Sequence, residues 1–200
     1  MYCYFKSNTR CIVYSVNGPG RPAGPAADTE ELVLTAALKL VLSEGAAALT
    51  AQRLHLLTGV ARTTIYRHWP TPKDVLAALI SVAPHPTPRS TGDPVADLHL
   101  EVDLLCDRLR DKPVGAFLRA LVTASSADPD CVPLRHRYVM DLLEPFRRAL
   151  GAIGRPGERR IEEAALAIIS PLLVEVLLLD RSVDRRHAHR TVDEVVRDIG

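Results

Sequence analysis

The fold is decided by the stretch from Leu49 to Leu79, LTAQRLHLLTGVARTTIYRHWPTPKDVLAAL. Thr50 is a residue type favoured at helix N-caps, and Leu49 and Leu54 have the spacing of a hydrophobic staple. A short helix is therefore predicted to begin at Thr50 and to end near Leu57.

A second short helix follows a glycine turn. Gly59 and Val60 predict a tight turn, and Pro70 cannot continue a helix, so this helix is placed at about Arg62 to His68. Two short helices joined in this way, the second flanked by basic and hydroxyl residues, match the helix-turn-helix plan. In that plan the second helix enters the major groove of DNA.

Helices are predicted on both sides of this motif. Upstream, the sequence D-T-E-E places Asp28 at the N-cap and Glu31 at N3 of a first helix, which Gly45 ends. Downstream, Thr71 is predicted to cap a fourth helix with Pro72 at N1.

Beyond residue 94 the sequence is typical of long helices. Residues 84–94 contain four prolines and one glycine, which indicates a boundary between domains. The helices predicted after this boundary are 95–110, 114–127, 133–153, 158–179 and 185–199.

Composition agrees with a soluble helical protein. The chain has 200 residues, of which 47% are hydrophobic, 24% charged and only 4% aromatic. Residues 1–90 carry 9 Lys and Arg against 5 Asp and Glu, and segment 45–73 has four basic residues and no acidic one. Such a locally basic face indicates a polyanionic partner, although an ordinary solvated face has the same composition.

The sequence favours a reducing, cytoplasmic location. Four cysteines, at positions 3, 11, 106 and 131, have neither zinc-site nor disulfide-framework spacing. Polar residues break the N-terminal segment, which therefore differs from a signal peptide. The longest apolar run, 164–179, is shorter than the roughly 20 residues that span a membrane. We expect no membrane partner, cofactor or metal.

The segment Glu30 to Ala83 resembles the DNA-binding domain of the TetR (tetracycline-repressor-like) family of bacterial regulators. The Leu-Thr opening of the second helix, the Gly59-Val60 turn, the run TIYRHWP at 64–70 and the helix after it all occur in register. The resemblance implies an all-α fold, in which a three-helix helix-turn-helix domain is joined to a helical bundle for ligand binding and dimerisation. The domains expected are a flexible arm at 1–28, the DNA-binding domain at 29–83, a linker at 84–94 and the bundle at 95–200.

The resemblance also implies which side chains contact DNA. Arg62 could donate two hydrogen bonds to a guanine, and threonine methyls could contact thymine. The residues expected to read bases are Arg62, Thr63, Thr64 and Gln52. The residues expected to contact phosphates are Thr50, Tyr66, His68 and Lys73.

Three positions depart from the family pattern. Ala61 stands where a Ser-like cap is frequent, and Pro72 replaces a frequent Lys, which leaves that phosphate contact to Lys73 or to the backbone. Trp69 stands where Phe is common and is interpreted as a hydrophobic plug beneath the motif. For His68 a buried core position is the alternative, and for Arg67 a solvated surface is as plausible as DNA contact.

The second half carries no comparably specific motif. Polar or adaptable side chains interrupt its apolar stripes at eight positions, which are candidates for a ligand pocket or for plain core and surface. These are His99, Asp103, Cys106, Phe117, Leu121, Tyr138, Met140 and Phe146. The resemblance further implies that the last two helices pair across a two-fold axis.

The function expected is that of a homodimeric repressor released from a palindromic operator by a small molecule. An alternative is a ligand-sequestering or interaction protein that keeps the fold without binding an operator. An enzyme is not expected, because His187 and His189 lie at i,i+2 and no G-x-S-x-G motif or phosphate-binding glycine loop occurs.

Overall fold

The structure, a computed structural model, describes residues 26–82, 90–111, 113–154 and 157–199. In these ranges the chain forms nine α-helices and no strand, as the all-α prediction requires. They are α1 (Ala27–Glu44), α2 (Ala51–Thr58), α3 (Arg62–His68), α4 (Pro72–Val82), α5 (Pro94–Asp111), α6 (Val114–Ala127), α7 (Val132–Ala152), α8 (Glu158–Leu177) and α9 (Arg185–Ile199). Residues 1–25 of the predicted arm and 84–89 of the predicted linker lie outside the described residues.

The predicted start of α1 is wrong. The helix begins at Ala27 with Ala26 at the N-cap, and no side chain caps it. The backbone N–H groups of Thr29 and Glu30 instead bond the carbonyl of Ala26, at 2.8 and 3.0 Å. Asp28 therefore lies inside the first turn. There its carboxylate interacts favourably with the positive end of the helix dipole but does not cap the helix.

The caps predicted for α2 and α4 are confirmed. The hydroxyl of Thr50 accepts the backbone N–H of Arg53 at 3.2 Å. At α4, Thr71 and Asp74 form a reciprocal capping box: the N–H of Thr71 bonds the Asp74 carboxylate at 2.9 Å, and the N–H of Asp74 bonds the Thr71 hydroxyl at 3.3 Å.

The later helices follow the prediction closely, with ends shifted by one or two residues. Asp93 caps α5 by accepting the N–H of Val95 at 2.9 Å. Asp184 caps α9 by accepting the N–H groups of Arg186 and His187 at 2.9 and 3.1 Å. Proline lies inside two of these helices, at Pro145 in α7 and Pro171 in α8.

The two halves of the chain pack on each other. Helix α1 contacts α6, and α4 contacts α7, while α7 packs against both α5 and α8, and α9 against both α5 and α8. The half that contains α1 to α4 is thus supported by the helices of the second half. No helix in the described ranges is long and apolar enough to cross a membrane.

Candidate nucleic-acid interface

The turn between α2 and α3 is fixed by local hydrogen bonds. Gly59 adopts a left-handed conformation with φ 73°, which glycine tolerates without steric cost. His55 donates from Nδ1 to the carbonyl of Val60 at 2.9 Å, and the hydroxyl of Thr58 accepts the N–H of Val60 at 3.2 Å. His55 and Thr58 were not predicted from the sequence, and their hydrogen bonds tie the end of α2 to Val60 in the turn before α3.

Two apolar side chains hold α3 against the rest of its domain. Ile65 is fully buried and Trp69, which directly follows the helix, is 6% exposed. The interpretation of Trp69 as a hydrophobic plug is therefore confirmed. Because Ile65 and Trp69 point inward, the opposite side of α3 is left to solvent.

Of the predicted base-reading residues, Arg62, Thr63 and Thr64 lie on α3 and Gln52 lies in the first turn of α2. Arg62, Thr63 and Gln52 are exposed, and Thr64 is half-buried. Within the described ranges, no side chain or carbonyl forms a hydrogen bond or ion pair with Arg62. Its guanidinium is therefore available for an external acceptor.

Three of the predicted phosphate-contacting residues lie on or next to the same two helices, at the N-cap of α2 and on α3. Thr50 is exposed at the N-cap of α2, and Tyr66 is 57% exposed on α3. His68 is half-buried, with its ring edge-on to Trp69 and the centroids 5.9 Å apart. Arg67 donates to Nε2 of His68 at 3.2 and 3.3 Å, so the N–H that remains for a phosphate is on Nδ1.

Lys73, the fourth, is already paired within the chain. Its ammonium lies 3.2 Å from the carboxylate of Asp130, in the turn before α7. The hydrogen bond to Asp130 raises the pKa of Lys73. Arg53 forms a similar ion pair with Glu44. Two cations of the basic segment 45–73 are thus neutralised by acids that lie outside that segment.

The eight predicted pocket residues separate into two groups. Phe117, Leu121, Tyr138 and Phe146 are buried in the core, where the rings of Phe117 and Tyr138 meet edge-to-face with centroids 5.2 Å apart. Burial raises the pKa of Tyr138. Cys106 is also buried and Met140 is half-buried. The two main surface clefts in the described ranges contain none of the eight side chains, so a cavity lined by them stays a prediction.

His99 and Asp103 belong instead to a polar cluster that joins α5 to α9. Nδ1 of His99 lies 2.8 Å from Nδ1 of His189, and the Nε2 atoms lie 3.2 Å from Asp193 and 3.0 Å from Asp103, respectively. Each imidazole thus contacts the other imidazole and a carboxylate of the opposite helix. Arg185 also donates to Asp103, at 2.9 Å.

Comparison with known proteins agrees with this architecture. A family profile described as tetracyclin repressor-like, C-terminal domain, matches residues 88–195. A TetR transcriptional regulator from Agrobacterium tumefaciens is 22% identical with a TM-score of 0.65, covering 87% of this chain and 95% of its own. The flavonoid-responsive regulator FrrA is 16% identical with a TM-score of 0.68, covering 87% and 96%.

A third similar structure is that of the multidrug binding protein EbrR complexed with proflavin. It is 20% identical with a TM-score of 0.55, covering 84% of this chain and 99% of its own. No curated protein sequence matches the chain significantly. At these identities the solved structures establish the fold alone.

The helices and their packing define a class, that of helix-turn-helix proteins with a helical C-terminal domain. The family profile spans more than half of the chain. The chain therefore belongs to the TetR family of transcriptional regulators.

Proposed function

We propose that this protein is a cytoplasmic homodimeric repressor that binds a palindromic operator and is released by a small-molecule effector. The observation that carries the proposal is the outer side of α3. Ile65 and Trp69 anchor the helix, while Arg62 and Thr63 at its start are exposed. A helix held in this way presents its first turn to the major groove.

The proposed contacts divide into base reading and positioning. Arg62 has no internal partner and can donate two hydrogen bonds to the O6 and N7 atoms of a guanine. Thr63, Thr64 and Gln52 complete the base-reading set. Contacts to phosphates fix the register of the protein on the duplex without reading sequence. They are assigned to Thr50, Tyr66, His68 and Lys73.

Dimerisation would place two copies of α3 in successive major grooves. Half-sites bound in this way lie about 34–36 Å apart along the duplex, and a two-fold dimer requires a palindromic site. We assign the dimer interface to α8 and α9. Apolar side chains on and directly after α8, among them Val174 and Leu178, are exposed in the single chain.

An effector would act by preferring one arrangement of the dimer. Binding that favours a state with another separation of the α3 helices weakens operator binding by typically 1–3 kcal/mol. Response to small molecules is consistent with the similar structures of the flavonoid-responsive regulator FrrA and of EbrR complexed with proflavin.

Selection of bound duplexes from a random DNA library tests the proposal. We expect the ligand-free protein to enrich a two-fold palindrome and to lose affinity steeply as salt rises, because phosphate contacts release counterions. The change Arg62→Ala should cost about 1–3 kcal/mol and relax the preference at one base position of each half-site.

Arg137→Ala is the matched control, since Arg137 is an exposed arginine on α7 that pairs with Asp141 at 3.9 Å. It should leave operator affinity unchanged. If a folded, dimeric protein enriches no sequence, the operator-binding function is wrong. A ligand-sequestering or interaction protein with the same fold is then the better description.

A further inference from the structure

Glu101, in the middle of α5, is a mostly buried residue whose carboxylate has no hydrogen-bond or ion-pair partner among the described residues. It is 8% exposed, and its carboxylate lines a surface cleft. Within the described residues nothing donates a hydrogen bond to it or pairs with it at ion-pair distance. Among the described residues no fully enclosed side-chain oxygen lacks a partner, so the carboxylate of Glu101 is open to this cleft while most of the residue is buried. Such partial desolvation penalises the charged form of the carboxyl group.

Asp97, one helical turn before Glu101, is by contrast a carboxylate with a structural role. Asp97 accepts hydrogen bonds from the hydroxyl of Ser90 at 2.5 Å and from the backbone N–H and hydroxyl of Thr91 at 2.7 Å each. The bond from Ser90 is the main reason that the pKa of Asp97 is lowered. Asp97 thus fixes the segment before α5 through hydrogen bonds, whereas Glu101 accepts no hydrogen bond from the described residues.

The cleft beside Glu101 lies between α5 and the second half of α7. Its volume is about 190 Å³, below the roughly 300–1,000 Å³ of pockets that hold drug-sized ligands. Pro145 forms part of its wall and has no N–H to donate to the carbonyl of Asp141 one turn earlier. The charged acceptors of the cleft are the carboxylates of Asp97 and Glu101, and its charged donor is the guanidinium of Arg148.

The charges lining the cleft favour a cation. They are Asp97, Glu101 and Arg148, which sum to one negative charge. Arg148 lies on α7, 4.0 Å from the carboxylate of Glu144. It attracts Glu101 only at a distance, since the two form no ion pair.

We propose that this cleft binds a small organic cation, whose ammonium or amidinium N–H groups bond the carboxylate of Glu101. This inference rests on the proposed effector response and names the chemical class of the effector. A second cleft, lined by Ile80 and Ser81 of α4, shares Pro145 and Arg148 with the first. The two clefts therefore have wall residues in common, and the second cleft is bordered by the end of α4, which follows α3 in the chain.

Proton and cation compete for Glu101. Burial is the main cause that raises the pKa of this carboxyl group, while Arg148 and Arg108 oppose the rise. Because the cation binds the carboxylate form, its affinity rises with pH until Glu101 is fully ionised.

Three planar probes of nearly equal shape test the charge preference on the unmodified full-length protein. Benzamidine is a cation, benzamide is neutral and benzoate is an anion, and binding is followed by NMR titration without DNA. We expect benzamidine to bind about tenfold more tightly than benzamide, since charge-assisted hydrogen bonds are roughly twice as strong as neutral ones. Benzoate should bind least. Equal binding of benzamidine and benzamide, or tighter binding of benzoate, overturns the proposal.

The change Glu101→Gln should remove the preference for benzamidine over benzamide. Glu144→Gln is the matched control, because Glu144 is an exposed carboxylate that lines the second cleft only. It should keep the preference. If both variants keep it, the carboxylate of Glu101 is not the binding group.

Thermal unfolding of Glu101→Gln provides a second readout. The folded-state pKa of Glu101 lies above its unfolded value, so the stability cost of the carboxyl appears as pH rises through the unfolded pKa and is complete above the folded one. Glu101→Gln should therefore unfold at a higher temperature than the original protein at neutral pH. The difference should vanish near the unperturbed value, about pH 4. A lower unfolding temperature at neutral pH would make Glu101 a structural residue and overturn the proposal.

Operator binding is measured separately, so that the two hypotheses fail independently. Charge-selective probe binding by a protein that selects no operator would retain the cation site and refute the repressor. A protein that binds an operator but shows no charge-selective probe binding would retain the repressor function and refute the cation site.

Discussion

At the scale of single residues, Lys73 has two candidate partners, the Asp130 carboxylate of its own chain and a DNA phosphate. The ion pair, at 3.2 Å, joins the start of α4 to the turn before α7. A lysine has three donors on one flexible stem, but its charge is best compensated by one close anion at a time. Binding a phosphate would thus weaken the bond to Asp130.

We predict that Asp130→Asn raises the affinity for DNA of any sequence by about threefold, since a surface ion pair is a weak competitor. Lys73→Ala should lower affinity for all sequences alike. Fluorescence anisotropy with operator and with random duplexes measures both effects. Asp180→Asn is the control, because Asp180, in the segment between α8 and α9, pairs with Arg119 of α6 at 3.8 Å. If Asp130→Asn changes nothing while Lys73→Ala weakens binding, the two anions do not compete.

The charge of the proposed DNA-binding face was only partly predictable from the sequence. Segment 45–73 has no acidic residue in sequence, but Glu44 lies one position before it and Asp130 lies 57 residues beyond Lys73. Glu44 would be found by examining a slightly longer segment of the sequence. Asp130 could not be found in this way, because its pairing with Lys73 depends on how α4 packs against α7. Arg62 stays unpaired because no acidic side chain of the described residues reaches it.

At the scale of helices, local signals predicted the motif well. The bounds Arg62–His68 follow from a glycine turn and a proline, and Thr50 caps α2 as its residue type requires. The start of α1 was wrong because a carboxylate near a helix N-terminus is favourable both as a cap and in the first turn. Hydrophobicity could not locate the end of α8, since the apolar run continues through Leu179 but the helix ends at Leu177. Past this end, Asp180 adopts a left-handed conformation with φ 48°.

Helices α6 and α8 approach closely at Gly115. A Cβ at this position would lie 2.8 Å from Cγ1 of Val176, a side chain with little freedom about χ1. We predict that Gly115→Ala destabilises the protein by about 1–3 kcal/mol through overpacking, although alanine favours helices.

Gly151→Ala is the matched control for this prediction. Gly151 is also helical, and its added Cβ would lie 3.5 Å from Cδ1 of Ile161, an ordinary contact. It should stabilise the protein by about 0.5–1 kcal/mol. Urea unfolding measures both variants. Equal stabilisation by the two changes would contradict a rigid contact between α6 and α8.

At the scale of the whole molecule, the apolar side chains left exposed by α8 predict the dimer interface. Leu166, Val174 and Leu178 recur at multiples of four residues and so follow one side of the helix. Leu178, just after the last turn, is 75% exposed. Exposure of an apolar helix face to water is unfavourable, and burial of the face against a partner stabilises it.

We predict that Val174→Glu converts the dimer to a monomer and abolishes tight operator binding, because the new carboxylate would be buried without a partner. Val122→Glu is the control, since Val122 on α6 is 44% exposed and Val174 is 43% exposed. Sedimentation velocity measures the oligomeric state. A dimer that survives Val174→Glu but not Val122→Glu would place the interface on α6.

If the exposed side of α8 forms the dimer, the concentration of the protein itself becomes a factor in regulation. If only the dimer binds DNA and monomers exchange with it, operator occupancy at low expression rises with the square of the monomer concentration. Thermal stability would rise with total concentration for the same reason, because mass action favours the associated, folded state. A modest change in synthesis of this chain would then produce a disproportionate change in the genes it controls.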